Sequence, residues 1–170
     1  MAGKTLLDIG GGIGVVDHEL LAAGATSALH VDASAAFASA AAEEATRRGV
    51  RDRIEFRQGD FVAIAPEIPP ADVVTLDRVI CCYANMELLV RESASHAKRL
   101  YGFVIPRERW ITRMGRFGVN TMFRLMRNQF RFHIHPISEI DRVLADSGFH
   151  AQAVSETIFW RVAVYARAAA

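Results

Sequence analysis

The chain has 170 residues, 51% of them hydrophobic and 23% charged, with a formal net charge of +1. This length suits one domain, 1–170, with a complete core, and the composition excludes a mainly disordered chain. The near-zero charge gives no electrostatic case for a nucleic-acid partner, and the apolar runs are too short for a membrane span.

In chain order, short apolar strands alternate with helical patterns, which argues for an α/β fold with a largely parallel sheet. The first strand is expected at Thr5 to Ile9, running into the glycine-rich turn Gly10 to Gly14. A helix from Asp17 to Ala23 follows and is closed by Gly24. The second strand, Ala28 to Asp32, leads to the alanine-rich helix Ala35 to Arg48, closed by Gly49. Strands at Ile54 to Gln58, Asp72 to Asp77 and Arg99 to Ile105 come next, with a helix over Glu87 to Lys98. The segment Arg107 to Pro136 carries Arg107, Arg109, Arg113, Arg116, Arg124, Arg127 and Arg131 against the single acid Glu108. Within it Val119, Met122, Phe123, Met126 and Phe130 recur at helical spacing, so a basic amphipathic helix is expected. Such a helix suits a lid over a pocket, a solvated face, or peripheral membrane contact through 116–131. A further helix begins with Ser138 as N-cap and Asp141 three residues on, and stops at Gly148. The tail reads as strands Ala151 to Glu156 and Ile158 to Ala166, joined too closely for a crossover and hence antiparallel.

No signal peptide is readable, because the first apolar run is a strand ending in glycines. Cys81 and Cys82 are adjacent and form no ordinary staple across a fold, so a reducing cytoplasm is the expected location.

The stretch Leu6 to Gly14, LLDIGGGIG, carries the most information. Its glycines permit close backbone approach, and the following helix offers free N–H groups near a ligand. The dinucleotide fingerprint G-x-G-x-x-G fails in both frames, since its third glycine falls on Val15 or on Asp17. The pattern that fits is D-x-G-x-G-x-G, Asp8 through Gly14. It resembles motif I of the class I S-adenosylmethionine (SAM) dependent methyltransferases. SAM has no pyrophosphate for a helix N-terminus to hold, but it has an ammonium that the Asp8 carboxylate can attract. The resemblance extends to Asp32, 24 residues after Asp8, where the family places an acid on the ribose hydroxyls. It also covers Gly59-Asp60-Phe61, which looks like the adenine-contacting segment, Asp60 accepting from the exocyclic amine and Phe61 offering an apolar face.

The resemblance implies a Rossmann-like three-layer sandwich, its mainly parallel seven-stranded sheet finished by an antiparallel hairpin. It implies SAM as cofactor, held by Asp8, Gly10, Gly11, Gly12, Gly14, Asp32, Ala33, Gly59, Asp60, Phe61, Asp77 and Arg78. The general likeness is to bacterial small-molecule methyltransferases, including the magnesium-protoporphyrin type. Transfer to an O, N or C nucleophile of a small molecule is therefore expected, with a possible homo-oligomer. Tyr83, in the segment Asp77 to Asn85, is a candidate to orient or deprotonate the acceptor. That segment lacks the Asn/Asp-Pro-Pro-Tyr motif of many amino-group methyltransferases. His133 and His135, alternating as on a strand, are candidate acceptor contacts or bases. No obligatory metal is expected. The family usually places helices before motif I, whereas here the first strand starts at about Thr5, so either the chain begins late, or a partner subunit or the basic insertion is expected to supply the cover. Two rival functions are a SAM-binding module without catalysis and an NAD(P)-dependent oxidoreductase on the same sheet.

Overall fold

The computed structural model describes residues 1–107, 121, 122, 125, 133 and 135–168. Seven strands form one sheet: β1 (Thr5–Ile9), β2 (Ser27–Asp32), β3 (Ile54–Gln58), β4 (Ala71–Asp77), β5 (Ala97–Pro106), β6 (Phe149–Glu156) and β7 (Trp160–Arg167). Their order is β3-β2-β1-β4-β5-β7-β6. The first five strands pair in parallel, and β7 lies antiparallel between β5 and β6. The expected α/β architecture with a terminal hairpin is borne out.

Strand periodicity builds the two layers that flank the sheet. On β1, Leu6 and Leu7 point to opposite faces, and each enters a separate core cluster. The larger core packs Leu7, Ile9, Val31, Val74 and Leu76 against α3 (Phe61–Ile64), α4 (Met86–Ser95) and α5 (Ile137–Asp146). The smaller one sets Leu6, Ala28 and Val73 against Leu21 of α1 (Val15–Ala22) and Ala45 of α2 (Ala35–Arg47). On that second face Val162, Val164, Gly102 and Thr75 line a shallow apolar groove with Val16 and Leu20, and no described helix covers it.

Several boundaries shift for local reasons. Helix α4 stops at Ser95 rather than Lys98, because Ala97 already pairs with Ala71 in the sheet. Ser138 is not an N-cap: the N-cap of α5 is Pro136, two residues earlier, whose carbonyl accepts the first helical bonds from Glu139 and Ile140. Strand β6 begins at Phe149, which pairs with Arg167. Residues 157–159 turn the hairpin, where Thr157 N–H donates to the Trp160 carbonyl (2.8 Å). Arg107 ties this turn to the end of β5, bridging to Glu156 (2.7 Å) and donating to the Thr157 carbonyl (3.0 Å).

Most of the basic insertion lies outside the described residues; Thr121, Met122 and Leu125 within it are helical. Among the described residues no helix is long and apolar enough to cross a membrane.

Candidate functional site

The sheet order reverses between β1 and β4, and in open α/β sheets this switch point opens a crevice at the strands' carboxyl ends. The glycine turn crosses this crevice. Gly10 and Gly12 take left-handed angles (φ +67° and +58°), which a Cβ disfavours. Gly10 N–H donates to the Val31 carbonyl (2.6 Å), stitching the turn to β2. Gly14 (φ +81°) is the N-cap of α1, and its N–H is spent on the Gly11 carbonyl (2.9 Å), so it shapes the turn rather than offering a donor to a ligand.

Asp32, at the end of β2, holds the turn open. One carboxylate oxygen accepts from Gly12 N–H (3.0 Å) and the other from Ser34 N–H (2.7 Å). Each oxygen keeps a second lone pair, so the group still suits a diol. The anchoring of Gly12 was not read from the sequence, because it joins residues 20 apart through a fold contact. The Asp32 carbonyl also accepts from Gly59 N–H (2.9 Å), bringing the Gly59-Asp60-Phe61 segment alongside.

Two cavities meet at Gly10. One of about 170 Å³ is walled by Ile9, Val31, Ala33, Gly59, Asp60, Phe61, Val79, Tyr83 and Leu89. The other, about 400 Å³, is bounded by Gly10, Gly11, Gly12, Ile13, Phe37, Asp77 and Arg78. A cavity of about 490 Å³ at the opposite edge of the sheet, lined by Thr5, Ser27, Ile54 and Ala71, holds none of the expected site residues. Phe61 is buried with its ring edge against His96 (centroids 5.4 Å), so it forms a wall rather than a free stacking face. Asp60 caps α3 through Val62 N–H (3.1 Å) and accepts from the Tyr83 hydroxyl (3.1 Å). Arg78 adopts φ +61°, lies over the Trp160 ring (5.9 Å) and is held in a fork by Asp77 (2.9 and 3.1 Å).

The structure brings the three acceptor-side candidates together. His133 N–H donates to the Cys81 carbonyl (2.7 Å), and His135 Nε2–H donates to the Tyr83 carbonyl (2.9 Å). The two rings stack at 5.6 Å, although neither residue lies in a strand as the alternation implied. Burial lowers the His135 pKa, so its ring is neutral near pH 7 and, with Nε2 donating, Nδ1 carries the lone pair. Burial and the neighbouring Asp60 raise the Tyr83 pKa above its usual 10.0, which makes the hydroxyl a donor and argues against its acting as a base.

Asp8 requires a correction. Its carboxylate does not face the crevice but is wholly buried beneath the turn, one oxygen accepting from the Thr75 hydroxyl (2.6 Å). Beside it Asp17 and His30, both fully buried, pair at 2.7 Å. Donor atoms of Asp8, Asp17 and His30 lie within 4.8 Å of one another. Sequence reasoning used Asp17 only as a helix start and as a failed glycine position, and missed His30; the one signal was a polar residue inside an otherwise apolar strand.

A sequence profile described as "Methyltransferase domain" matches residues 6–101, more than half of the chain and all of the glycine-turn site. The chain belongs to the methyltransferase-domain family. No curated protein sequence matches it. Solved methyltransferase structures share the fold of this domain. Magnesium protoporphyrin IX methyltransferase from Synechocystis PCC 6803, with bound SAH, aligns at TM-score 0.79 and 21% identity over 98% of this chain and 75% of that one. An O-methyltransferase family 2 protein from Planctomyces limnophilus, in complex with apigenin, aligns at TM-score 0.78 and 19% identity over 98% of this chain and 52% of that one. The [4+2]-cyclase SpnF aligns at TM-score 0.73 and 14% identity over 98% of this chain and 76% of that one. At these identities the likeness of the methyltransferase domain to its neighbours is one of fold.

Proposed function

We propose that this methyltransferase domain binds SAM across the two cavities flanking Gly10 and methylates an O, N or C nucleophile of a small molecule. The observation that carries this reading is the bond from Gly12 N–H to Asp32, which sets the turn between an apolar cavity and an open polar one. The apolar cavity suits an adenine ring, with Val79, Leu89 and Phe61 as walls and Asp60 accepting from an amine. The remaining lone pairs of Asp32 suit the ribose diol. The polar cavity, with the turn's backbone, Asp77 and Arg78, suits the amino-acid end. When bound, the cofactor supplies a methyl activated on a sulfonium.

The chain's own task is then to place the acceptor in line and take up its proton. The Tyr83 hydroxyl, its one proton given to Asp60, positions the acceptor through its oxygen lone pairs, and His135 Nδ1 accepts the proton released as the new bond forms. Small size of the acceptor is supported by the apigenin-bound neighbour. The two unbridged thiols of Cys81 and Cys82 suit a reducing cytoplasm.

Calorimetric titration with SAM, S-adenosylhomocysteine (SAH) and NAD(P), followed by turnover against a metabolite panel, tests the reading. Binding of NAD(P) but not SAH would sink it, and tight SAM binding without any methyl transfer would favour the inactive module. Tyr83→Phe is expected to leave SAH affinity within about 1 kcal/mol of the parent while slowing methyl transfer. A large loss of SAH affinity would instead assign Tyr83 to the cofactor.

A further inference from the structure

The buried polar cluster beneath the glycine turn has no part in the scheme above. Asp8 lies on β1, Asp17 on α1 and His30 on β2, each without solvent exposure. Asp8 Oδ2, Asp17 Oδ1 and His30 Nε2 have no hydrogen-bond partner. Two carboxylates and one imidazole in a dry site are costly unless protons neutralise them. Only backbone separates this cluster from the open cavity: a Cβ on Gly11 would sit 2.6 Å from Asp8 Oδ2 and 2.5 Å from His30 Cε1.

We propose that Asp17 and His30 are positioning residues that set the proton on Asp8 beneath the turn, Asp17 holding it and His30 opposing it, so that arrival of a cationic cofactor above it expels the proton to solvent. The inference rests on the SAM reading and adds a proton linkage to it. The groups acting on Asp8 are Asp17 from α1, His30 from β2, and Asp77 with the Thr75 hydroxyl from β4, while His18 and Asp32 act on His30. Burial first and the Asp17 charge second push the Asp8 carboxyl up to about 8, against the opposing Thr75 bond and His30. Burial opposes charge on His30 too, but the Asp17 bond and charge outweigh it and raise its pKa, leaving an Asp17–His30 ion pair beside a neutral Asp8.

A metal explains the geometry less well. The 2.7 Å between His30 Nδ1 and Asp17 Oδ2 is a direct hydrogen bond, and the protonated cluster is already neutral.

The sign of the linkage follows from charge. A sulfonium near the turn favours ionised Asp8, so binding releases a proton below pH 8 and affinity rises with pH up to that point. SAH has the same ammonium and carboxylate but no sulfonium, so it expels less. Calorimetry of the unmodified protein at pH 6.5 to 8.5, in buffers of different ionisation enthalpy, counts these protons. The SAM-to-SAH affinity ratio is expected to rise roughly three- to tenfold over that range, within the limit of one proton per site. Asp17→Asn removes the charge that raises Asp8 and is expected to move the profile to lower pH. His30→Gln removes an opposing charge and is expected to move it higher. A purely structural role predicts no such opposite shifts. Equal proton counts for the two ligands would overturn the inference alone; failure of both to bind would overturn the cofactor reading and this one with it. One equivalent of tightly bound metal in the purified protein would also overturn it.

Discussion

Replacing Gly11 by Ala is expected to destabilise the fold by about 2–4 kcal/mol and to abolish cofactor binding. The reason is space rather than backbone angle, since Gly11, unlike its neighbours, has no positive φ. A Cβ there would lie 2.5 Å from His30 Cε1, 2.6 Å from His30 Nδ1 and 2.6 Å from Asp8 Oδ2. None of these atoms is the end of a flexible exposed chain; they belong to a ring and a carboxylate fixed in the interior. Overpacking of this kind costs about 1–3 kcal/mol, and displacement of the buried Asp17–His30 pair adds to it. Gly12→Ala is the matched control. No atom lies within 4 Å of its Cβ, so only the left-handed angle (φ +58°) opposes the change, at about 1 kcal/mol. Thermal unfolding of both variants with SAH titration checks the contrast. A Gly11→Ala protein as stable as Gly12→Ala would show that the turn does not press on the cluster.

Asp32→Ala is expected to weaken SAM and SAH binding by about 2–4 kcal/mol, roughly 30- to 1,000-fold. The change removes the acceptors of Gly12 N–H and Ser34 N–H, so the turn loses its tie to β2 as well as the diol contacts. Asp32→Asn separates these contributions poorly but informatively. One backbone N–H would then meet an amide NH2, and the variant should fall close to alanine rather than close to the parent. Circular dichroism establishes that both variants fold, and calorimetric dissociation constants read the effect. An unchanged affinity would remove Asp32 from the cofactor site altogether.

Much of the site was legible because its signals are local. The positive φ of Gly10 and Gly12 and the helix start after Gly14 follow from a run of glycines between a strand and a helix. Asp32 and Asp60 were found as acids at strand ends, where the sheet presents them to one crevice. Tyr83, His133 and His135 were candidates by residue type; their meeting depends on two bonds to backbone carbonyls of the 81–83 turn, one from the His133 N–H and one from the His135 ring, which span about 50 positions. Ser138 was misread for the opposite reason. Its pattern is a good cap, but the Pro136 carbonyl two residues earlier is equally available, and the chain takes the longer helix.

Asp8 marks the boundary between the two kinds of knowledge. Its position two residues before a glycine run was enough to suggest a cationic ligand. Burial depends on what β2, α1 and β4 bring around it, and these supply His30, Asp17 and Thr75 from positions up to 67 residues away. The sequence by itself determined the strand and helix succession and the glycine turn, because periodicity and backbone angles are properties of neighbouring residues, and it carried the family through the resemblance of Asp8 to Gly14 to motif I. Only the tertiary structure decided that β7 enters between β5 and β6, that Asp32 anchors the turn, and that Asp8 shares a dry pocket with Asp17 and His30. Those features rest on burial and on contacts between distant segments, and both exist only once the chain has folded.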